Sequence, residues 1–165
     1  MEILVCSDSH GNKANLLRLV KDHPAATHLL FCGDGVKDLS VVAECFPRLI
    51  ILPVAGNCDG FFVTEDVPRE RLFTLGGVRI LMMHGHLYGV KSGVGAALSY
   101  AKAQGADVLL FGHTHLPYAE SADLGERRLE VFNPGSIGSY NGGAYSFGLL
   151  TIKENGFLLS HGSYK

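Results

Sequence analysis

Five short apolar segments, each followed directly by polar residues and glycine, place the strongest constraint on how this chain can fold. We predict strands at residues 2–6, 28–32, 49–54, 78–83 and 107–111. Each is a near-continuous hydrophobic run rather than an alternation, which is typical of strands buried on both faces of a sheet. Helical segments are predicted between several of them, at 12–22, 37–46 and 92–104, so this part of the chain has the order of a parallel α/β sheet.

The predicted helices and turns carry recognisable end signals. Asn12 and Ser92 are predicted N-caps, and Gly105 falls just past the end of the third helix. Gly76-Gly77 predicts a hairpin between 71–75 and the strand at 78–83. Shorter strands at 117–122, 127–132, 146–153 and 157–161 predict an antiparallel ending. This mixture indicates two sheets packed together with helices outside.

Bulk properties exclude several classes of protein. The chain has 165 residues and is 47% hydrophobic, so we expect a single domain spanning residues 1–165. The net charge is −2, and the densest arginines, Arg69, Arg71 and the pair Arg127-Arg128, are interpreted as solvated surface. We therefore expect no nucleic-acid-binding surface. The sequence contains no apolar run of ~20 residues, so we expect no membrane span, and the amino terminus does not resemble a signal peptide.

The cysteines fit an expected cytoplasmic location. There are four of them, none in a C-x-x-C pair, so a structural zinc knuckle is not expected. In the cytosol their thiols should be reduced.

Residues with metal-binding side chains follow all five predicted strands. The segments are Ser7-Asp8-Ser9-His10, Gly33-Asp34, Gly56-Asn57-Cys58-Asp59, His84-Gly85-His86 and Gly112-His113-Thr114-His115. Parallel strands place their carboxyl ends along one edge of a sheet, where ligands bind in open α/β folds. We therefore expect side chains that are far apart in the sequence to converge there.

These segments offer two aspartates, one asparagine and at least four histidines as ligands. Oxygen and imidazole donors in this mixture suit Mn²⁺, Fe or Zn²⁺ rather than Ca²⁺ or Mg²⁺ alone. Seven ligands are too many for one tetrahedral ion, so they predict two ions that share a carboxylate. Two ions about 3.5–4 Å apart hydrolyse phosphate esters, because a metal lowers the pKa of water from about 15.7 to about 7.

The order of these pieces resembles the calcineurin-like metallophosphoesterases, and more closely their small prokaryotic phosphodiesterase branch. The matching pieces are Asp8-x-His10, Gly33-Asp34, Gly56-Asn57, His84 and Gly112-His113-x-His115. The tetrapeptide Asn133-Pro134-Gly135-Ser136 is also familiar from that branch. The resemblance implies an α/β fold of two mixed β-sheets packed face to face and flanked by helices, a four-layer αββα sandwich.

The resemblance also implies a role for each matching residue. The ligands of one ion are Asp8, His10 and His115, those of the other are Asn57, His84 and His113, and Asp34 bridges the two. The implied activity is that of a metal-dependent phosphodiesterase, in which a hydroxide between the ions attacks phosphorus. Manganese is the expected metal, with iron, zinc or nickel as alternatives. The expected substrate is a small phosphate ester, including nucleotide-type diesters, and a homodimer is expected only by analogy.

Position 58 departs from the family pattern. Many members carry a histidine there, which protonates or polarises the leaving group, whereas this chain has Cys58. A thiol with an ordinary pKa near 8.5 is a poor substitute for an imidazolium. His86 is the nearest alternative acid or phosphate contact, and we assign it a catalytic role together with Asp34. Diesters with good leaving groups need least help from an acid, so the change favours diesters over monoesters.

Other functions fit the sequence less well. Gly93-Val94-Gly95 is no dinucleotide fingerprint, since Leu98 takes the third glycine position and no strand leads into it. Ser136 lacks the G-x-S-x-G elbow of serine hydrolases, so its tetrapeptide is interpreted as a rigid loop that supports the site. The alternative is a non-catalytic scaffold, like the retromer subunit that resembles this family. Loss of ligands would signal that function, and this chain retains all seven.

Overall fold

The structure is a computed structural model that describes residues 1–125, 127–139 and 144–165. Within these residues the chain forms strands and three α-helices, joined by short loops and 3₁₀ turns. The strands are β1 (Glu2–Cys6), β2 (Ala26–Phe31), β3 (Ile50–Pro53), β4 (Glu70–Leu75), β5 (Val78–Met83), β6 (Val108–Leu110), β7 (Pro117–Asp123), β8 (Arg128–Pro134), β9 (Tyr145–Lys153) and β10 (Gly156–Tyr164). The helices are α1 (Lys13–Asp22), α2 (Leu39–Cys45) and α3 (Gly95–Ala103).

The strands form two mixed sheets of five strands each. The first sheet has the order β10-β9-β1-β2-β3, with β1, β2 and β3 parallel. The second has the order β4-β5-β6-β8-β7, with β5, β6 and β8 parallel. Antiparallel strands complete the edges of both sheets. In each sheet the parallel strands occupy neighbouring positions, so their carboxyl ends meet.

Three apolar cores separate four layers. Ile3 and Val5 of β1 pack between the two sheets, in a core that also contains Ile80 and Val108 from the second sheet. Leu4 faces the opposite way and packs among residues of α1 and α2. On the far side of the second sheet, α3 covers β5 and β6. This arrangement is the predicted αββα sandwich, and it explains why the strands are apolar on both faces.

The second and third helices begin at other residues than predicted. Asn12 caps α1 as expected, because its side chain accepts a hydrogen bond from the Asn15 backbone. The predicted start of the third helix, with Ser92 as N-cap, is wrong. Gly93 has a φ of 143°, which no α-helix accommodates, so α3 begins only at Gly95. The predicted second helix is likewise divided, into a 3₁₀ turn at Val36–Asp38 and α2.

The antiparallel ending is only partly as predicted. β7 and β8 form one hairpin and β9 and β10 form another. However, β8 also pairs parallel with β6, and the chain then crosses to the first sheet. Short alternating strands do not reveal which sheet they join, because that depends on tertiary packing.

The four cysteines are free thiols, and Cys6 and Cys32 are buried whereas Cys45 and Cys58 are exposed. Among the helices of the described residues, we find none long and apolar enough to cross a bilayer.

Candidate metal centre

The predicted ligands lie together in the loops that follow the carboxyl ends of five parallel strands. The first sheet supplies Asp8 and His10 after β1, Asp34 after β2 and Asn57 after β3, and the second supplies His84 after β5 and His113 and His115 after β6. The two sheets pack face to face, so these loops meet at one edge of the sandwich. The convergence predicted from the sequence is therefore present.

Five of the seven predicted ligands have a left-handed backbone conformation. The φ angles are 55° at Asp8, 44° at His10, 58° at Asp34, 68° at His113 and 61° at His115. In the described part of the chain, no other residue except glycine has a positive φ. Such residues each cost of order 1–3 kcal/mol unless their surroundings hold them in place, and they cluster at functional sites. The backbone strain of this fold thus coincides with the predicted metal centre.

One group of ligand atoms forms around Asp8. Its Oδ1 lies 3.1 Å from Nε2 of His115 and 3.7 Å from Nε2 of His10. The two imidazole Nε2 atoms are 3.2 Å apart. Ligand atoms of all three residues lie within 4.8 Å of one another, so one ion could contact all three.

A second group forms around His84. Its Nε2 lies 3.3 Å from Oδ2 of Asp34 and 3.2 Å from Oδ1 of Asn57, and its ring centroid is 4.9 Å from that of His113. The other ring nitrogen, Nδ1, donates to the carbonyl oxygen of Cys32 at 2.7 Å. A backbone acceptor at Nδ1 fixes the tautomer and leaves the Nε2 lone pair for a metal ion, as in known metal sites.

Asp34 lies between the two groups. Ligand atoms of Asp34, His84 and His113 lie within 4.8 Å of one another, and those of Asp34, His10 and Cys58 do so as well. Because His10 belongs to the first group and His84 to the second, the carboxylate of Asp34 joins the two groups of candidate ligands.

The residues present fit metal ions. Oδ1 of Asp8 is buried and accepts no hydrogen bond of ordinary geometry from any described residue, although three imidazoles surround it. A buried carboxylate oxygen without a partner is costly, and a cation bound to the same imidazoles would satisfy it. The combination of carboxylate, carboxamide and imidazole suits first-row divalent ions.

Electrostatic interactions favour the ionised carboxylates. Burial would raise the pKa of Asp8, yet the imidazoles of His10 and His115 hold it far below its usual range. Burial opposes ionisation of Asp34 too, but His84 brings its pKa down to about 2. Both carboxylates are therefore charged at neutral pH and ready to bind a cation.

Asp59 holds the Asp34 loop in place. Its carboxylate is buried and accepts hydrogen bonds from the backbone amides of Asp34 (2.6 Å), Gly35 (2.9 Å), Val36 (3.0 Å) and Gly56 (3.0 Å). Oδ1 of Asp34 in turn accepts from the Cys58 backbone at 2.8 Å. The loops after β2 and β3 are thus fixed to each other.

Two further side chains support the loop that carries Asp8 and His10. Asp38 was not predicted from the sequence, and Ser136 was interpreted only as part of a rigid supporting loop. Asp38 is buried, and its Oδ2 accepts from the Ser9 hydroxyl and the Gly11 amide, both at 2.7 Å. It therefore fixes the loop that carries Asp8 and His10. Ser136 donates to the Asp8 carbonyl at 2.8 Å, which agrees with a supporting loop rather than a nucleophile. No local sequence motif predicts this role of Asp38, because its contacts join two loops that are far apart in the sequence.

His86 lies at the rim of the centre. Its ring centroid is 5.4 Å from that of His84 and 6.2 Å from that of His113. Burial, His84 and the nearby guanidinium of Arg69 lower its pKa. Arg69, which the sequence suggested was solvated surface, lies beside the site, with Nη1 3.4 Å from Nε2 of His86. Cys58 is exposed, and its Sγ lies 3.3 Å from Nδ2 of Asn57.

Two known proteins resemble this chain in sequence over most of its length. The chain is 37% identical over 138 residues to the probable metallophosphoesterase YsnB of Bacillus subtilis, covering 83% of this chain and 75% of that protein. It is 34% identical over 176 aligned positions to the phosphodiesterase YfcE of Escherichia coli, covering 91% and 87%.

The fold and the family agree. A crystal structure of a Streptococcus pneumoniae protein described as a predicted phosphoesterase superposes with a TM-score of 0.77 at 23% identity, covering 98% of this chain and 88% of that one. The sequence profile of the calcineurin-like phosphoesterase superfamily domain matches residues 1–155. With its two mixed sheets and its cluster of candidate ligands, this chain belongs to the calcineurin-like phosphoesterase superfamily.

Proposed function

We propose that this protein is a phosphodiesterase that uses two divalent metal ions, with manganese as the expected metal. The observation that carries the proposal is the convergence of seven side chains into two groups that meet at Asp34. When bound, the two ions would supply a hydroxide nucleophile at neutral pH and withdraw charge from the phosphoryl oxygens. The similarity to a protein named as a phosphodiesterase supports a diester rather than a monoester as substrate.

The chain's own residues hold and orient the reacting groups. Asp8, with His10 and His115, would bind one ion, and His84, with Asn57 and His113, would bind the other. Asp34 would bridge them, because its loop is held in place by three backbone hydrogen bonds to Asp59. Water is the proposed nucleophile, so no covalent enzyme intermediate is required.

The substrate is proposed to be a small phosphate ester. His86 at the rim offers a hydrogen bond to a phosphoryl oxygen of the substrate. Cys58 occupies the position from which an acid would reach the leaving group, and burial, together with Asp34, raises the pKa of its thiol. A weak acid there restricts the enzyme to esters whose leaving group needs little protonation, which again favours activated or naturally acidic leaving groups.

Purified protein tests the proposal with Mn²⁺ and bis(p-nitrophenyl) phosphate. We expect turnover that falls at least about a hundredfold in Asp34→Asn, since even outer supports of a metal site contribute 10–100-fold. Asp22→Asn, which removes an exposed carboxylate at the end of α1, is the matched control and should keep the wild-type rate. Stoichiometric metal without turnover across a panel of divalent ions would instead support the scaffold alternative.

A further inference from the structure

Arg69 is a cation beside the metal centre that the proposed chemistry does not use. It directly precedes β4, and its Nη1 lies 3.4 Å from Nε2 of His86. A guanidinium can only donate hydrogen bonds, so Nε2 of His86 accepts here. The pair therefore joins the rim of the centre to a permanent positive charge.

The neighbouring carboxylate does not neutralise Arg69. Glu70 follows it in the sequence, but both Glu70 oxygens are engaged elsewhere, since Oε2 accepts from Tyr88 at 2.7 Å and Oε1 accepts from Tyr100 at 2.6 Å. The two tyrosine rings stack on each other with centroids 5.3 Å apart. In the residues that the structure describes, Arg69 forms no ion pair with a carboxylate.

A second exposed cation, Lys91, lies near the centre. Its charge acts on His113, whose pKa burial, His84 and Lys91 all lower. Lys91 also lines an open groove of about 840 Å³ that reaches Thr114, the residue between His113 and His115. The metal centre is thus flanked by two positive side chains and by a groove large enough for a nucleoside-sized group.

The placement of Arg69 has an electrostatic consequence. Two divalent ions bound at the centre would repel the exposed guanidinium at its rim. An anion lying between the ions and the guanidinium would offset this repulsion. Arginine is also the side chain whose planar set of donors matches a phosphate group.

We propose that Arg69 binds a second phosphate group of the substrate, one that does not react, while the scissile phosphoryl group lies over the metal ligands. The preferred substrates would then be phosphodiesters that carry an additional phosphate, and not simple diesters with a single negative charge. This inference rests on the proposed function, because it assumes that the reacting phosphoryl group binds at the metal centre. Arg69 is then a specificity-determining residue.

Calorimetric titration of the manganese-loaded protein tests this inference without turnover. The probes are thymidine 3′,5′-bisphosphate and thymidine 5′-monophosphate, which differ by one phosphate. We expect the wild type to bind the bisphosphate about tenfold or more tightly, as one charge-assisted contact implies. Arg69→Gln should bring the ratio of the two dissociation constants close to one, and Arg69→Lys should restore part of it.

Arg48→Gln is the matched control, because it removes the same charge before the amino end of β3, away from the metal centre. It should keep the wild-type ratio. Arg69 is exposed, so its substitution is expected to leave the melting temperature unchanged, which circular dichroism would check. Equal affinities of the wild type for the two nucleotides, or an unchanged ratio in Arg69→Gln, would overturn the inference.

The two proposals fail in different ways. A protein that hydrolyses bis(p-nitrophenyl) phosphate but binds both nucleotides equally refutes the role of Arg69 and keeps the phosphodiesterase. A protein that hydrolyses no ester, yet loses its bisphosphate preference in Arg69→Gln, refutes the phosphodiesterase and keeps the anion site.

Discussion

At the scale of single residues, the position of Asp34 depends on another carboxylate. Asp34 has a φ of 58°, between Gly33 and Gly35, which also have positive φ angles. Three successive amides of this loop point at Asp59, which binds them all. The strained bend and the carboxylate that stabilises it are therefore parts of one support for Asp34, the proposed bridging ligand.

Asp59→Asn tests this support. An asparagine side chain has one acceptor oxygen in place of two, so at least one buried amide loses its partner, at a cost of about 1–3 kcal/mol. We expect a lower melting temperature and a manganese affinity reduced about tenfold or more, measured by calorimetry. Asp66→Asn, an exposed change in the loop before β4, is the control. Wild-type affinity for both ions in Asp59→Asn would refute the role given to Asp59.

Cys58 gives a second prediction at this scale. Its thiol lies next to the ligand Asn57, where many family members carry a histidine, so Cys58→His should supply the missing acid. We expect diester hydrolysis to rise about tenfold or more for a poor leaving group such as an alkoxide, and less for p-nitrophenolate. Steady-state rates on one ester of each kind measure the difference. Cys45→His, an exposed change in α2, serves as control, and an equal change for both leaving groups would contradict the prediction.

The sequence revealed some of these residues and not others, for a physical reason. The convergence of the seven predicted ligands could be predicted because each lies in a loop that follows an apolar strand, and parallel strands align their ends. Arg69 and Asp38 could not, since their roles arise from contacts between loops that are 17 and 29 residues apart in sequence. Contacts of that kind depend on how the sheets pack, which no local pattern encodes.

At the scale of the elements, the turn after β3 has to let two loops approach closely. A Cβ atom on Gly56 would lie 2.0 Å from Oδ1 and 2.6 Å from the backbone nitrogen of Asp34. Both are far inside van der Waals contact, so the loops after β2 and β3 can meet only when residue 56 is glycine.

Gly56→Ala should therefore displace Asp34. We expect a loss of about 1–3 kcal/mol in the free energy of unfolding, as is typical of overpacking, and a manganese affinity that falls with it. Gly60 lies in the same segment, and a Cβ there would meet nothing within 4 Å. Gly60→Ala should therefore keep the wild-type free energy of unfolding and manganese affinity. Chemical denaturation and calorimetry on both variants make the comparison. Equal behaviour of the two would show that the close approach does not matter.

Boundaries of elements were predicted well where local chemistry decides them and poorly where it does not. The Gly76-Gly77 hairpin and the cap at Asn12 follow from turn and capping chemistry, and both are present. The start of α3 was predicted too early, because a serine before a periodic apolar run resembles a cap whether or not the next glycine continues the helix. The parallel pairing of β8 with β6 is a tertiary choice.

At the scale of the whole molecule, the buried charges imply cations. Asp8, Asp34, Asp38 and Asp59 are all buried, and no lysine or arginine of the described residues pairs with them. Hydrogen bonds and imidazoles stabilise these carboxylates in part, and the proposed pair of divalent ions would neutralise their remaining charge. Such ions are therefore expected to stabilise the fold as well as to act in the proposed catalysis.

Metal removal should then lower the thermal stability. At a free Mn²⁺ concentration a hundred times its dissociation constant, one site adds about 2.7 kcal/mol. For a chain of this size, that corresponds to a rise in melting temperature of roughly 5–10 °C. Scanning calorimetry with Mn²⁺ and after treatment with EDTA gives the difference. An unchanged melting temperature would show that bound Mn²⁺ does not stabilise the buried carboxylates.

Anomalous diffraction would show whether two ions bind at the two groups of proposed ligands. A crystal grown with Mn²⁺ and measured on both sides of the manganese absorption edge locates every bound ion. We expect two anomalous peaks about 3.5–4 Å apart, one against Asp8, His10 and His115 and the other against Asn57, His84 and His113, with Asp34 between them. A single peak, or peaks away from these side chains, would contradict the proposal of two bound ions.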